Sequence, residues 1–284
     1  MVAGGNDKQD SQHIYDLISA NADYPKWVGQ PRRTIVICTQ QRSGSTLLGE
    51  AIYFAGGLGC PLEYFHEGFQ PLFEARWKPA DFQAYVSTLH SLRTDSTGVF
   101  STKLFWRDAV RLMCQFAPAE FNMPHWTADT HISHTAYRRA FSIFSQFLPN
   151  PTFVFLTRRN TVRQAVSFSI AGETRLWREF SGSSPKHKMQ EPAYDFNRVL
   201  RILAVIQKGN AHWSNFFRAN DLQHHEVVYE DLAENYENTM RSLFEAVGRP
   251  EAAIMPARLR RQADARSEEI LEQFLADFRR RTPV

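Results

Sequence analysis

The chain has 284 residues, 43% of them hydrophobic, and a formal charge of +3 from 33 lysines and arginines against 30 aspartates and glutamates. Such a chain buries a sizeable core, and its arginines are spread along it without forming a basic tract, which excludes nucleic acid as the implied partner. Three cysteines without metal-ligand spacing fit a reducing compartment, and neither a long apolar run nor a signal-peptide pattern at the N-terminus is present, so a cytoplasmic protein with no transmembrane segment is expected.

Residues 1–30 are polar, with Ile14, Leu17 and Ile18 permitting one short amphipathic helix before Pro25 and Pro31, and are expected to be an appendage to a single domain over 31–284. Thr34 to Cys38 is a β-branched run suited to a buried parallel strand, and Leu47, Leu48, Ala51, Ile52 and Ala55 repeat at helical spacing up to Gly56-Gly57. Gln41, Arg42, Ser43, Gly44, Ser45 and Thr46 therefore lie at a helix N-terminus. Unpaired backbone N–H groups attract an anion there, Gly44 permits close approach, the hydroxyls add donors and Arg42 adds a forked positive charge. The alternative is a plain polar loop with a helix cap. A nucleoside-triphosphate P-loop has Gly and Lys where Thr39 and Ser45 stand here, so ATP chemistry fits poorly, while a less charged group such as a sulfuryl group needs no metal.

Gly56, Gly57, Gly59 and Pro61 mark a loop that carries Glu63 and His66 to the end of the sheet where open α/β folds bind ligands. A carboxylate at that end can take the proton of an attacking hydroxyl, or it can pair locally. Phe69 to Thr97 is expected to be a helical excursion, with Phe82, Tyr85, Val86 and Leu89 on one face. Gly98 to Leu104 reads as a second strand ending at Lys103. Lys103 can stabilise charge on a transferred group or be a solvated strand end, and Trp106 can stack on a sugar or adenine or belong to the core. His125, His131 and His134 lack a ligand framework, and no metal site is expected.

Thr152 to Thr157 is a further strand running into Arg158, Arg159 and Asn160, with Asn160 as cap of a helix carrying Val162, Ala165 and Val166. Ser167 lies seven residues beyond Asn160, two helical turns along the same face, placed for Arg159 and Ser167 to grip one phosphate, with Arg158 as the substitute if the register differs by one. Gly182, Pro185 and Pro192 bound a loop holding Lys186, His187 and Lys188, either a lid or an unstructured stretch. Leu200 to Phe217 is an amphipathic helix, Glu226 to Glu230 a strand, and Asp231 the cap of a helix ending at Gly248. Arg260, Arg261 and Arg266 precede a last helix capped by Ser267, whose stripe of Ile270, Leu271, Phe274, Leu275 and Phe278 must dock on something.

Five segments in this order resemble a known family: Gln41 to Leu48, Pro61 to Phe65, Lys103 to Trp106, Arg158 to Asn160 with Gln164 to Ser167, and Arg261 to Ser267. Together they are similar to the bacterial trehalose 2-sulfotransferase family, which uses 3′-phosphoadenosine 5′-phosphosulfate (PAPS). The resemblance spans most of residues 34 to 278. It implies an α/β domain with a P-loop-like parallel sheet flanked by helices, and sulfuryl transfer from PAPS, without a metal, to a hydroxyl of a carbohydrate or glycolipid. Glu63 would be the catalytic base, with Arg42 and Lys103 serving the chemistry and His66 and Trp106 facing the acceptor. Gln41 to Thr46, Arg159, Ser167, Arg261 and Arg266 would hold the nucleotide, and a homodimer is possible. Differences from the family pattern, including Phe116 to Arg138 and Leu62, fall in acceptor-facing regions, so a lipopolysaccharide or glycolipid sugar is as plausible an acceptor as trehalose. The rival readings are a P-loop kinase of small molecules and a non-catalytic nucleotide- or glycan-binding protein.

Overall fold

The computed structural model describes residues 19–127, 131–174, 177, 191–257 and 265–281. Four parallel strands form its centre: β1 (Arg33–Thr39), β2 (Val99–Phe105), β3 (Pro151–Thr157) and β4 (His224–Val228), in the order β2-β1-β3-β4. β1 is buried from Thr34 to Thr39 because helices cover both of its faces. Ile35 and Ile37 pack with Leu48 and Ile52 of α1 (Ser45–Ala55) and with Met240, Leu243 and Phe244 of α10 (Tyr236–Ala246). Val36 and Cys38 face a larger cluster built from α4 (Trp106–Phe116), α6 (His134–Phe147) and α8 (Phe196–Ala219). A run apolar at consecutive positions suits such a doubly covered strand.

The chain leaves β1 toward β2 and leaves β3 toward β4, on opposite sides of the β1/β3 boundary. The crevice at such a reversal, outside the carboxyl ends of the strands, is where open α/β sheets bind ligands. Both arginine-bearing loops flank it.

Several local expectations change. The helical excursion is two helices, α2 (Gln70–Trp77) and α3 (Phe82–Arg93), with the Asp81 carboxylate accepting the Ala84 N–H at 2.8 Å as the cap of the second. β2 does not end at Lys103 but runs to Phe105, since Lys103 is paired in register with Ile37 and Phe105 with Thr39. β4 ends at Val228, and α9 (Tyr229–Glu234) begins at once, so Glu230 and Asp231 occupy its first turn and Asp231 is not its cap. Phe116 to Arg138 contains α5 (Met123–Thr127) and the start of α6. Ser267 lies inside α11 (Ala265–Arg281), not before it.

That last helix docks on α7 (Thr161–Thr174) and α8. Ile270, Leu271 and Phe274 bury against Val166, Val199 and Leu203, and Arg163 pairs with Glu268. At the other end of the chain, Asp23 pairs with Arg76 and with the fully buried Arg93, and the Tyr24 N–H reaches the Leu92 carbonyl, fastening residues 19–27 to α3. Ile14, Leu17, Ile18, Lys186, His187, Lys188, Arg260 and Arg261 lie outside the described residues.

Candidate active site

The loop after β1 is shaped by two left-handed residues, Arg42 at φ 62° and Gly44 at φ 86°. Arg42 is strained there, as non-glycine residues rarely adopt this region except where function over-determines them. Gly44 is the N-cap of α1, and a Cβ on it would come within 2.4 Å of the Tyr229 ring, so no larger residue fits. Beyond Gly44 the first-turn N–H groups of α1 have no intrahelical partners and point into the loop. Ser43 is fully buried, with its Oγ 2.6 Å from Thr39 Oγ1. Because Thr39 Oγ1 donates to the Leu156 carbonyl at 2.6 Å, the Ser43 hydroxyl must donate to Thr39, which fixes the loop to both β1 and β3. Ser43 is thus a brace, while Ser45 and Thr46 begin the helix. Gln41 is held through its carbonyl, which accepts from Gln164 Nε2 at 2.7 Å.

Arg42 reaches across the crevice, donating from Nε to Ser167 Oγ at 3.0 Å and from a terminal nitrogen to the Trp177 carbonyl at 2.6 Å. Arg158 donates to the Arg42 carbonyl at 3.2 Å and lies 4.6 Å over the Tyr229 ring. Burial, and then the neighbouring Arg158, push the Arg42 guanidinium down to about 10. Two half-buried like charges beside a helix N-terminus make a spot that an anion relieves. This donor set, of guanidinium, hydroxyls and first-turn N–H groups, fits a phosphosulfate or phosphate.

Arg159 sits differently. Its guanidinium is more than half exposed and grips both Asp231 carboxylate oxygens at 2.6 Å. Glu230 accepts the backbone N–H groups of Arg159 and Asn160 at 3.0 and 3.3 Å, so an anion at this turn must be held by side chains. Asn160 does cap α7, its Oδ1 accepting the Arg163 N–H at 2.8 Å. Arg266 donates to the Pro192 carbonyl at 3.0 Å and pairs with Glu269.

One strand over, Lys103 Nζ meets Glu63 Oε1 at 2.8 Å, with Lys103 fully buried and Glu63 nearly so. The segment bearing Glu63 is laid along β2: the Lys103 N–H donates to the Leu62 carbonyl at 2.9 Å, as does Thr102 Oγ1 at 3.0 Å. Lys103 is therefore neither a strand end nor solvated. His66 follows by one turn, packed against Phe69 and Phe105, and burial lowers its ring below the ordinary histidine range. Its Nδ1 accepts the Gly68 N–H at 3.0 Å, which leaves Nε2–H as the group it can offer. Trp106 stacks on His212 at 4.9 Å and packs in the core cluster with Trp126, Tyr137 and Trp213, so one of its faces is taken by the histidine.

Several residues here escape local sequence reasoning. Thr39, Gln164, Tyr229 and Glu230 all shape the loop through partners more than 65 positions away or through ring packing, except for the short Thr39–Ser43 link. Gln164 falls in a segment that carries the family resemblance, whereas the roles of Thr39, Tyr229 and Glu230 have no local signal. No group of three or more His, Cys, Asp or Glu side chains that could hold a metal occurs among the described residues. No helix among them is long and apolar enough to cross a membrane, and all three cysteines are free.

A strand, a glycine-capped loop and a helix at the switch point of a parallel sheet define a P-loop-like α/β protein, with a buried carboxylate paired to a lysine of the neighbouring strand. The family described as Stf0 sulphotransferase matches residues 34–277, and the chain belongs to that sulfotransferase family. Trehalose 2-sulfotransferases of Mycolicibacterium smegmatis (strain ATCC 700084 / mc(2)155) and Mycobacterium tuberculosis (strain ATCC 35801 / TMC 107 / Erdman) are each 26% identical over 270 residues, covering 86% of this chain and 95% of their own. The solved sulfotransferase domain from the curacin biosynthetic pathway covers 87% of this chain and 99% of its own, at 15% identity and a TM-score of 0.40, a likeness too remote to bear on the site.

Proposed function

We propose that this sulfotransferase moves the sulfuryl group of PAPS to a hydroxyl of a carbohydrate acceptor. The observation that carries the reading is the pairing of one anion loop, rich in donors but lacking the P-loop lysine, with the Glu63–Lys103 pair on the adjacent strand. PAPS supplies a sulfuryl group on a good leaving group. Arg42, Ser45, Thr46 and the first-turn N–H groups of α1 hold the 5′-phosphosulfate and the charge that develops on the leaving phosphate. Glu63 takes the acceptor's hydroxyl proton as its oxygen bonds to sulfur, and the bond from sulfur to the phosphate oxygen breaks, releasing adenosine 3′,5′-bisphosphate. Lys103 keeps Glu63 oriented and adds positive charge near the reacting centre.

For the 3′-phosphate the reading assigns Arg159 with Ser167. Arg158 is spent on Arg42, Tyr229 and Glu230 and is almost buried, whereas Arg159 is exposed and, among the described residues, its guanidinium is held in a surface pair with Asp231 that it can exchange for a phosphate. Arg261 and Arg266 are assigned to closing over the nucleotide. Trehalose, the substrate in the name of both mycobacterial relatives, is the first acceptor to try, with glycolipid sugars after it. A cytoplasmic location and a homodimer complete the proposal.

Thermal shift tests it against the kinase alternative. A ligand held only by the native state raises apparent stability by mass action. Adenosine 3′,5′-bisphosphate is expected to raise Tm well above the effect of ATP with Mg²⁺, and the reverse order contradicts the proposal.

A further inference from the structure

α4 starts directly after β2, and its first two turns bring Asp108 and Arg111 onto one side of the helix. Asp108 has a visible structural duty: Phe105 is the N-cap, and its backbone N–H is directed at the Asp108 carboxyl, the reciprocal half of a capping box. That duty occupies one oxygen. The other, Oδ2, is buried and meets no hydrogen-bond donor among the described residues, although Asp108 is only 2% exposed. Arg111 Nε, one turn along, is likewise buried and has no acceptor among the described residues. Leaving such groups unsatisfied costs stability, and native structures rarely do so without a reason. The start of α4 lies against the loop of the proposed base: the Phe105 ring packs edge-on with His66 at 6.2 Å, and Arg107 pairs with Glu67 at 3.0 Å.

We propose that Asp108 and Arg111 recognise the acceptor, hydrogen-bonding hydroxyls of the molecule whose reacting hydroxyl goes to Glu63, so that this wall of the site selects a polyhydroxylated sugar over a flat aromatic alcohol. The inference rests on the reading of Glu63 as the base. Two unsatisfied polar groups one helical turn apart suit neighbouring sugar hydroxyls, each of which both donates and accepts, and an apolar alcohol would leave them unpaired. Burial, reinforced by Glu63, holds the Asp108 carboxyl well above the ordinary carboxylate range, against the opposing pull of the Phe105 N–H, Arg111 and Arg107. That favours the protonated carboxyl, whose shape and hydrogen-bonding capacity an asparagine imitates.

The test is calorimetric titration of trehalose and glucose into protein saturated with adenosine 3′,5′-bisphosphate. Asp108→Leu and Arg111→Met are each expected to weaken sugar binding by about tenfold, a lost hydrogen bond, with nucleotide affinity unchanged. Asp108→Asn is expected to stay within about threefold at neutral pH. Wild-type sugar affinity in Asp108→Leu overturns the role of Asp108 and leaves it a helix cap. Should that variant not fold, unchanged affinity in Arg111→Met overturns the inference by itself. A wild-type protein that binds the nucleotide and neither sugar also overturns it while sparing the sulfotransferase reading, whereas sugar binding without nucleotide binding does the opposite.

Discussion

Lys103 Nζ and Glu63 Oε1 stand 2.8 Å apart, and the pair is buried. A lone buried charge is very costly, so each residue explains the presence of the other. Their meeting is fixed by backbone: the Glu63 segment runs beside β2 through the Leu62 carbonyl, which accepts from both Lys103 N–H and Thr102 Oγ1. Lys103→Met should therefore cost about 3–5 kcal/mol in urea unfolding, the penalty of orphaning a buried partner. A cost near zero would show that Glu63 escapes to solvent when its partner is removed, and the pair would then not be what fixes it.

The two adjacent arginines of the β3 loop should separate cleanly. Arg159→Ala is expected to weaken adenosine 3′,5′-bisphosphate binding roughly ten- to a hundredfold, with little effect on unfolding. Arg158→Ala should mainly lower stability, because it empties the contact over Tyr229 and the bond to the Arg42 carbonyl. Isothermal titration and urea melts on both variants decide it, and loss of nucleotide confined to Arg158→Ala transfers the phosphate role to that residue.

Gly44→Ala meets two obstacles, a φ of 86° and a Tyr229 ring atom 2.4 Å from the new Cβ. A left-handed non-glycine residue costs about 1–3 kcal/mol before the clash is counted. The variant should lose both stability and nucleotide affinity. Adding Tyr229→Ala removes the clash but not the strain, so the double variant should recover only part of either. Full recovery would assign the whole requirement for glycine to the ring.

The parts of this structure legible in the sequence are those set by neighbours along the chain. Thr34 to Cys38 and Thr152 to Thr157 are strands because β-branched and aromatic residues run together, and both lie within β1 and β3 as expected. The glycine-capped loop and the Asn160 cap follow from local chemistry in the same way. α6 carries a helical stripe of Tyr137, Ala140, Ile143, Phe144 and Phe147 behind the polar segment of His131 and His134. The rest depends on distant partners. Lys103 looks like a strand end until the Glu63 segment covers it, and Trp106 looks like a sugar platform until α8 brings His212 onto its face. Asp231 has the residue type of a cap, yet Val228 takes that place and Asp231 serves Arg159 instead. No local pattern encodes these pairings.

Acid should loosen the fold through His90. Burial pushes its ring down to about 4, against about 6.5 in the unfolded chain. Between those values the unfolded state binds a proton that the folded state refuses, so stability is fully present above the upper value and is lost as pH falls toward the lower. That dependence amounts to about 3 kcal/mol. His90→Gln should flatten the unfolding free energy across this window, and an unchanged slope in urea melts would locate the acid sensitivity in other groups.

Turnover by Glu63→Gln tests the central claim most directly. The wild type, given PAPS and trehalose, is expected to yield a sulfated sugar and adenosine 3′,5′-bisphosphate by mass spectrometry. A positioned base contributes about 10²–10⁴-fold to such a step, so Glu63→Gln should lose that factor in kcat while binding adenosine 3′,5′-bisphosphate as the wild type does. Turnover within about threefold of wild type would contradict the account by removing Glu63 as the base and turning attention to His66, and a collapse of nucleotide affinity would make Glu63 part of the nucleotide site instead.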